Sequence, residues 1–310
     1  MDENLKSKKK ANLHLHLTGS LTASDLRYLA DLTKTDLSEY EPLENHFQFA
    51  DPAIWSAAKE VTSNPHGLKE SVVRVLKKEA ADNVMYVELT INTAGMVRRV
   101  MLPKEFADAV TEALEDMESL GVIGKIKCGV NRKDGPESVS VVKSTYLALA
   151  EKYRVGIDLN GDERAFPTGP FVEEFRKLAA EGMPTIIHAG EYPDLINSLQ
   201  DALQTRPTRL AHAVAAEQDY ATIQEILAQG VVVEVAPTSN IRTQAVSTVN
   251  SHPLIKFIEY GIPVVLGNDD PAFFGVSMTN EFNALIAAGV SEEDLLTINK
   301  RGIRMFESLT

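Results

Sequence analysis

The chain has 310 residues, and its content of 44% hydrophobic and 24% charged residues is typical of an ordinary globular protein in water. A formal net charge of −13 argues against a nucleic-acid partner, because binding to phosphates needs clustered Lys and Arg. No apolar run is long enough to predict a membrane span. The only cysteine, Cys128, excludes an internal disulfide and fits a reducing compartment, so we expect a cytoplasmic protein.

The first ten residues, MDENLKSKKK, are charged and lack the apolar segment of a signal peptide or membrane anchor. We therefore expect residues 1–10 to form a mobile, solvated tail. No segment rich in Gly, Ser or Pro marks a domain boundary further along the chain. Because α/β barrels often reach this length as one unit, residues 11–310 are predicted to form a single domain.

Eight short apolar segments with polar or Gly/Pro ends recur along the chain, and helical patterns separate them. In order, they are ANLHLHL from residue 11, VMYVELTIN from 84, IGKIKCGVN from 123, RVGIDLNGD from 154, MPTIIHAGE from 183, RLAHAV from 209, VVVEVAPTSN from 231 and IPVVLGNDDP from 262. Eight repeats of strand and helix predict a (β/α)8 TIM barrel. An open doubly wound sheet is less favoured, because no GxGxxG follows the first strand.

One long interval, residues 18–83, interrupts this rhythm after the first strand. We interpret it as a helical insertion over the mouth of the barrel. The aromatic residues Phe47, Phe49 and Trp55 in this interval are candidates for a lid over the site. Filling a small satellite core is at least as good an explanation of these side chains.

Polar residues cluster where the predicted strands end, the place where such barrels carry their chemistry. In the first strand, His14 and His16 share one face because successive side chains of a strand alternate. The later strands contribute the following polar residues: His188 and Glu191 after strand five, His212 on strand six, and Asp269 and Asp270 after strand eight. The other three histidines, His46, His66 and His252, lie in polar or Pro-containing stretches and are predicted to be at the surface.

Three imidazoles and one carboxylate are suitable ligands for Zn²⁺, and we predict a single zinc ion bound by His14, His16, His188 and Asp269. A water bound to such an ion has its pKa lowered to about 7 and becomes a nucleophile at neutral pH. His212 is then available as a base that orients or deprotonates this water, and Glu191 as a proton donor. Any one of these residues alone would be read as structural; their joint placement points to catalysis.

These residues resemble the adenosine deaminase family of the amidohydrolase superfamily. Four motifs carry the resemblance, in the family's order: HLHLTGS, GIDLNGDE, HAGE, and PTSN followed by GNDDPAFFG. The resemblance implies hydrolytic deamination at C6 of an aminopurine, with the zinc ligands named above. It implies that Glu191 protonates the ring nitrogen beside the attacked carbon and that His212 handles the attacking water. The backbone N–H of Gly161 would meet purine N3, and Asp270 the N7 edge.

Three positions depart from the family pattern and bear on the choice of substrate. Relatives that act on adenosine or adenine usually carry an acidic residue where this chain has Thr18, and adenosine enzymes use it on the ribose 5′-hydroxyl. A neutral hydroxyl would tolerate an anionic or bulky 5′ group that a carboxylate repels. The usual glycine after the strand-six histidine is Ala213, and Asn268 replaces a Thr or Ser.

Three functions remain open at this point. The first is a zinc-dependent deaminase of an adenosine-like nucleoside, 5′-modified nucleoside or nucleotide. The second is a hydrolase of the same fold acting on another aminated heterocycle or an N6-alkylated purine, and the third is a pseudo-deaminase that only binds a purine. The zinc deaminases with HxE and PCxxC motifs are excluded, since one cysteine cannot build their site. We expect a small purine as partner and leave the oligomeric state open.

Overall fold

Eight parallel strands form one sheet that curves into a barrel. The computed structural model describes residues 7–41, 52–97 and 101–308, and in them each strand pairs with the next strand of the chain. The strands are β1 (Lys10–His16), β2 (Val84–Asn92), β3 (Ile123–Asn131), β4 (Arg154–Asn160), β5 (Thr185–Ala189), β6 (Arg209–His212), β7 (Val232–Val235) and β8 (Val264–Leu266). All eight lie within the segments predicted from the sequence, apart from Lys10, which extends β1 by one residue.

Helices connect the strands and cover the outside of the barrel. Over the described residues they are α1 (Ala23–Thr33), α2 (Pro52–Thr62), α3 (Pro65–Ala81), α4 (Thr93–Val97), α5 (Pro103–Glu118), α6 (Val139–Ala148), α7 (Val172–Ala180), α8 (Ile196–Gln204), α9 (Tyr220–Gln229), α10 (Pro237–Arg242), α11 (Leu254–Glu259), α12 (Pro271–Phe274), α13 (Met278–Ala287) and α14 (Glu292–Glu307). None of these helices is both long and apolar enough to cross a membrane.

The barrel closes between β1 and β8 through a short parallel bridge that pairs Leu15 with Asp269. The Asp269 N–H donates to the His14 carbonyl at 2.9 Å, and the His16 N–H donates to the Asp269 carbonyl at 2.9 Å. Strand and helix therefore alternate around a closed sheet, which confirms the predicted (β/α)8 barrel. The closing hydrogen bonds belong to residues that the sequence predicted as metal ligands.

Helix ends follow local capping chemistry. Helix α3 begins with Pro65 in its first turn, and the Asn64 side chain accepts the N–H of Gly67 at 2.8 Å. Helix α14 begins after Ser291, whose hydroxyl accepts the N–H of Asp294 at 3.0 Å. Each cap satisfies a backbone donor that the first helical turn leaves without a partner, so these residues fix where the helices start.

The interval between β1 and β2 is helical, as predicted, but only part of it is an insertion. Helix α3 packs against β2 and α5 and so serves as the ordinary helix connecting two neighbouring parallel strands. In the part that the structure describes, the insertion contains the turn Thr18–Ser20, α1, the turn Ser38–Tyr40 and α2. Trp55 of α2 stacks on Phe273 of α12, with ring centroids 4.5 Å apart and planes at 21°. Phe47 and Phe49 lie outside the described residues, and a lid formed by Trp55 stays a prediction.

Charged side chains fill the interior of the barrel below the mouth. Arg209 on β6 donates to Glu88 on β2 at 3.1 Å, and Lys127 on β3 donates to both carboxylate oxygens of Glu234 on β7 at 2.7 Å. Strands β2 and β6 are not neighbours in the sheet, so Glu88 and Arg209 meet across the interior. All four side chains are buried, and their mutual pairing offsets the cost of removing charges from water.

Close backbone approach at the closing seam gives a prediction for stability. A Cβ added at Gly267 would lie 2.3 Å from His14 Cβ and 2.4 Å from the His14 carbonyl oxygen. Because a backbone atom cannot move aside as a side chain can, Gly267→Ala should lower the free energy of unfolding in urea by about 3 kcal/mol. Gly95 in α4 has no atom within 4 Å of an added Cβ. Gly95→Ala should therefore leave stability unchanged or slightly raised, and equal effects of the two variants would contradict the close approach.

Candidate metal centre and active site

Side chains from four strand ends converge at the mouth of the barrel. His16 Nε2 lies 3.1 Å from His188 Nε2 and 3.3 Å from Asp269 Oδ1, and His14 Nε2 lies 3.3 Å from the same oxygen. The ring of His212 is also close, with centroids 5.0 Å from His14 and 5.3 Å from His188. The structure thus brings together five of the seven polar residues that the sequence placed at this rim, and Glu191 and Asp270 are described below.

The donor set and its spacing fit a divalent metal ion. Four ligands held tetrahedrally at about 2.0–2.1 Å from one zinc ion lie about 3.3 Å from one another, close to the distances found here. His14 Nε2 is buried and has no well-aligned hydrogen-bond partner in the protein, so a cation would satisfy it. Within the described residues, two groups of potential ligands share His14: one with His188 and His212, the other with His16 and Asp269.

A second set of polar side chains orients the ligands. Glu234 Oε2 lies 2.9 Å from His14 Nδ1, and Asp158 Oδ1 lies 2.9 Å from His188 Nδ1. Each carboxylate accepts a hydrogen bond from Nδ1–H, which leaves Nε2 free to face the candidate metal position. Ser239 donates its hydroxyl to Asp269 Oδ2 at 2.6 Å. Asp158, Glu234 and Ser239 were not predicted from the sequence, although Asp158 lies on β4, Glu234 on β7 and Ser239 in the helix that follows β7.

Burial and nearby charges shift the pKa values of several groups at this centre. Burial lowers the pKa of His16 to about 3, against the opposing charge of Asp269, so His16 is a neutral donor. Burial also lowers the pKa of His14, but the nearby carboxylates of Asp269 and Glu234 outweigh this and raise it to about 10. Burial raises the pKa of Asp269, yet His14 holds it well below its usual value. Binding of a cation at His14 Nε2 would require His14 to lose the proton that this raised pKa retains.

Glu191 is held in place by the turn that follows β5. Gly190 has φ +63°, and the carboxylate of Glu163 accepts the N–H of Gly190 at 2.8 Å and that of Glu191 at 3.1 Å. This turn reverses the chain, so that Glu191 faces the same centre to which β5 contributes His188. Burial, followed by the nearby charges of Asp269 and Glu163, raises the pKa of Glu191 to about 8. Glu191 is therefore protonated at neutral pH, as a proton donor must be.

Three residues at the mouth hold left-handed backbone conformations that side chains other than glycine rarely adopt. They are His212 at φ +66°, Ala213 at φ +52° and Asp269 at φ +61°. Each conformation costs on the order of 1–3 kcal/mol and persists only because the surrounding contacts determine it. The glycine that the family usually carries after the strand-six histidine would relax this strain at Ala213. The methyl of Ala213 is fully buried.

Asp270 packs against the turn that follows β1. A Cβ added at Gly19 would lie 1.6 Å from Asp270 Oδ1, so only glycine admits the carboxyl group at this place. Oδ1 of Asp270 is buried and has no hydrogen-bond partner in the protein, so it is available to a ligand. Burial and the charge of Asp269 raise the pKa of Asp270 well above its usual value, and a protonated Asp270 can donate a hydrogen bond. Thr18 opens the same turn and is partly buried.

Gly161 lies at the carboxyl end of β4, exposed to solvent, with φ +100°. An added Cβ there would lie 2.9 Å from Asn131 Oδ1, so both conformation and space require glycine. Its N–H is thus placed at the same rim as the ligands, as the sequence predicted, and its contact with a substrate stays a prediction.

The prediction that His252 lies at the surface is wrong. Its side chain is 2% exposed, and it packs beneath α10 with Nε2 3.1 Å from Asn240 Oδ1. Its neighbours Ser251 and Pro253 suggested an exposed loop, but the ring is buried and hydrogen-bonded to Asn240 and to the backbone of Leu254. His66 is exposed, as predicted, and His46 lies outside the described residues.

The fold and site together define a metal-dependent hydrolase built on a (β/α)8 barrel. The family model described as adenosine deaminase matches residues 9–307. The chain therefore belongs to the adenosine deaminase family, and the resemblance inferred from its motifs is confirmed. It is a hydrolase that acts on C–N bonds of cyclic amidines, a deaminase of aminopurine-like compounds.

Individual relatives act on different aminopurine compounds. The aminodeoxyfutalosine deaminase of Streptomyces coelicolor is 28% identical over 306 residues, which cover 95% of this chain and 79% of that protein. The N6-mAMP deaminase of Arabidopsis has a TM-score of 0.84 at 21% identity, covering 99% of this chain and 98% of that one. An amidohydrolase of Burkholderia ambifaria with bound Zn has a TM-score of 0.83 at 20% identity, covering 97% and 86%.

The contact between Asp158 and His188 gives a prediction for metal affinity. Asp158→Asn removes the charge that fixes the His188 ring, and such changes typically weaken metal binding by about 10- to 100-fold. Competition with a chromogenic chelator measures the loss. Asp108→Asn on α5 removes an exposed carboxylate that pairs with Lys104, and serves as the control that should bind metal like the unmodified protein. Equal affinity of the two variants would rule out a role for Asp158 at the metal.

Proposed function

We propose that the resident metal is one zinc ion held by His14, His16, His188 and Asp269, and that the protein deaminates a 6-aminopurine bearing a substituted ribose 5′ position. The convergence of the four donor atoms is the observation that carries the metal assignment, with His16 Nε2 3.1 Å from His188 Nε2 and 3.3 Å from Asp269 Oδ1. Imidazole nitrogen with a single carboxylate favours zinc over the harder cations Mg²⁺ and Ca²⁺. The bound Zn of the Burkholderia protein with the same fold supports this choice.

The side chains around this ion divide the reaction between them. A zinc ion held by these four side chains would lower the pKa of a bound water to about 7 and would so make a nucleophile available at neutral pH. Glu191, whose pKa is raised to about 8, gives its proton to the ring nitrogen beside the attacked carbon. His212 contacts the attacking oxygen from the other side of the centre. Protonated Asp270 and the N–H of Gly161 bind the purine at its N7 and N3 edges and orient it.

The substrate assignment depends on the turn Thr18–Ser20. Ser20 donates its hydroxyl to the His16 carbonyl at 2.6 Å, and Lys78 of α3 donates to the Ser20 carbonyl, so the turn has a fixed position beside the metal ligands. Thr18 stands at the position where related adenosine enzymes carry an acidic residue, and its neutral hydroxyl would not repel a 5′-phosphate as a carboxylate would. The Arabidopsis protein with this fold, whose substrate carries the 5′-phosphate of AMP, supports the same preference.

Glu191→Gln tests the proton donor. Glutamine keeps the shape of the side chain but cannot supply the proton, so kcat for the best purine substrate should fall by about 10²- to 10⁴-fold. Ammonia release and loss of the aminopurine absorbance measure the rate, and metal analysis should still find about one zinc per chain. Glu181→Gln, which removes an exposed carboxylate on the outside of the barrel, is the matched control. Full activity of Glu191→Gln would remove Glu191 from the reaction.

Thr18→Asp tests the substrate. The unmodified protein should deaminate AMP, N6-methyl-AMP or a 5′-thioether nucleoside better than adenosine. A carboxylate at position 18 should lower kcat/KM for the nucleotides by about 10- to 100-fold and spare adenosine, because repulsion acts only on the 5′-phosphate. Ser140→Asp on the outer face of α6 adds the same charge away from the site and should change neither. An unmodified protein that strongly prefers adenosine would refute the assignment.

A further inference from the structure

The buried histidine outside the metal centre, His252, has a fixed proton position. The backbone N–H of Leu254 donates to His252 Nδ1 at 3.0 Å. A backbone amide can only donate, so Nδ1 must be unprotonated, and a neutral His252 carries its proton on Nε2. Burial lowers the pKa of His252 to about 3, and the ring is neutral at physiological pH.

The proton on His252 in turn fixes the orientation of a buried carboxamide. His252 Nε2 lies 3.1 Å from Asn240 Oδ1, so the N–H of His252 donates to the amide oxygen of Asn240. The amide NH₂ group then faces the opposite way, and Asn240 Nδ2 lies 3.2 Å from His212 Nδ1. The reversed amide would set its NH₂ group against the N–H of His252, two donors facing each other in a buried site. The Leu254 backbone therefore decides this orientation through His252.

The carboxamide determines the tautomer of His212. Since Asn240 donates to His212 Nδ1, a neutral His212 carries its proton on Nε2. Because Nδ1 is engaged by Asn240, Nε2 is the nitrogen available to the centre formed with His14 and His188. A protonated His212 would need to donate from Nδ1 as well, and the amide NH₂ group opposes this. His212, Asn240 and His252 are each at most 2% exposed, so water cannot readily substitute for these hydrogen bonds.

We propose that His252 and Asn240 are positioning residues that keep His212 in the Nε2–H tautomer, so that His212 donates a hydrogen bond to the attacking oxygen instead of accepting its proton. Identification of that oxygen rests on the proposed function. A donor at this position stabilises negative charge on the oxygen in the transition state. Of the two groups that the sequence analysis assigned to proton transfer, only Glu191 then keeps that role. The sequence expectation that His212 acts as a base is revised accordingly.

Nuclear magnetic resonance of the zinc-loaded protein labelled with ¹⁵N-histidine reads the tautomers directly, without any turnover. With seven histidines in the chain, His212→Gln and His252→Gln assign the two signals. In the unmodified protein, His212 should show a protonated Nε2 and an unprotonated Nδ1. In Asn240→Asp, a carboxylate faces His212 Nδ1 and accepts from it, so Nδ1 should become protonated. A His212 that is protonated on Nδ1 in the unmodified protein would overturn the proposal.

Kinetics test the consequence for the reaction. Asn240→Asp and His252→Phe should lower kcat by about 10²-fold with little change in KM, because loss of one oriented donor affects the transition state more than substrate binding. His252→Gln keeps one acceptor for Leu254 and one donor for Asn240, and should restore most of kcat and the tautomer of His212. His66→Gln, at an exposed histidine, is the control for the substitution itself.

The two readouts separate this proposal from the proposed function. If His212 shows the expected tautomer but the protein deaminates no 6-aminopurine, the proposed function is refuted and the tautomer assignment of His212 remains valid. An active deaminase in which Asn240→Asp moves the His212 proton without lowering kcat would refute the donor role. Should His252→Phe fail to fold, Asn240→Asp and the unmodified protein still decide the outcome.

Discussion

The closing seam of the barrel is the constraint on which the rest of the structure depends. Two backbone hydrogen bonds of 2.9 Å join His14 and His16 on β1 to Asp269 after β8. The peptide groups that close the sheet therefore belong to three of the proposed zinc ligands, and closing the barrel brings those ligands together. Gly267 makes the approach possible, because a Cβ there would collide with His14. The left-handed backbone of Asp269 is held by the same contacts, so fold and site stabilise each other.

Buried charge connects this seam to the body of the barrel. Glu234 accepts from His14 Nδ1 on one side and from Lys127 and Arg209 on the other, and Arg209 continues to Glu88. Each charge needs its partner because unpaired charges in a dry interior are costly. A ligand of the metal is thus held by a cluster that reaches across the whole barrel. The orientation of His14 depends on strands that contribute no ligand themselves.

The proton positions of the histidines at the mouth are also set by hydrogen bonds from residues around them. Asp158 and Glu234 accept from the Nδ1 atoms of two ligands, which frees their Nε2 atoms for a cation. Asn240 does the reverse at His212 and donates to Nδ1. A carboxylate partner therefore places the proton of His14 and His188 on Nδ1, whereas the carboxamide partner places the proton of His212 on Nε2. In the proposed site, the first tautomer allows metal binding through Nε2, and the second allows hydrogen-bond donation to the attacking oxygen.

The sequence by itself determined the barrel and the residues at its rim. Eight strand segments and the alternation in HLHL carry that information locally, because strand periodicity and the carboxyl ends of parallel strands follow from short-range geometry. Only the tertiary structure decided the proton positions and the burial of His252, since Asp158, Glu234 and Asn240 meet their histidines across distances of 12 to 220 residues in the chain. Whether a polar side chain hydrogen-bonds to a histidine of the site or faces water depends on which residues, distant in the sequence, lie opposite it in the folded barrel. No local pattern specifies that opposition.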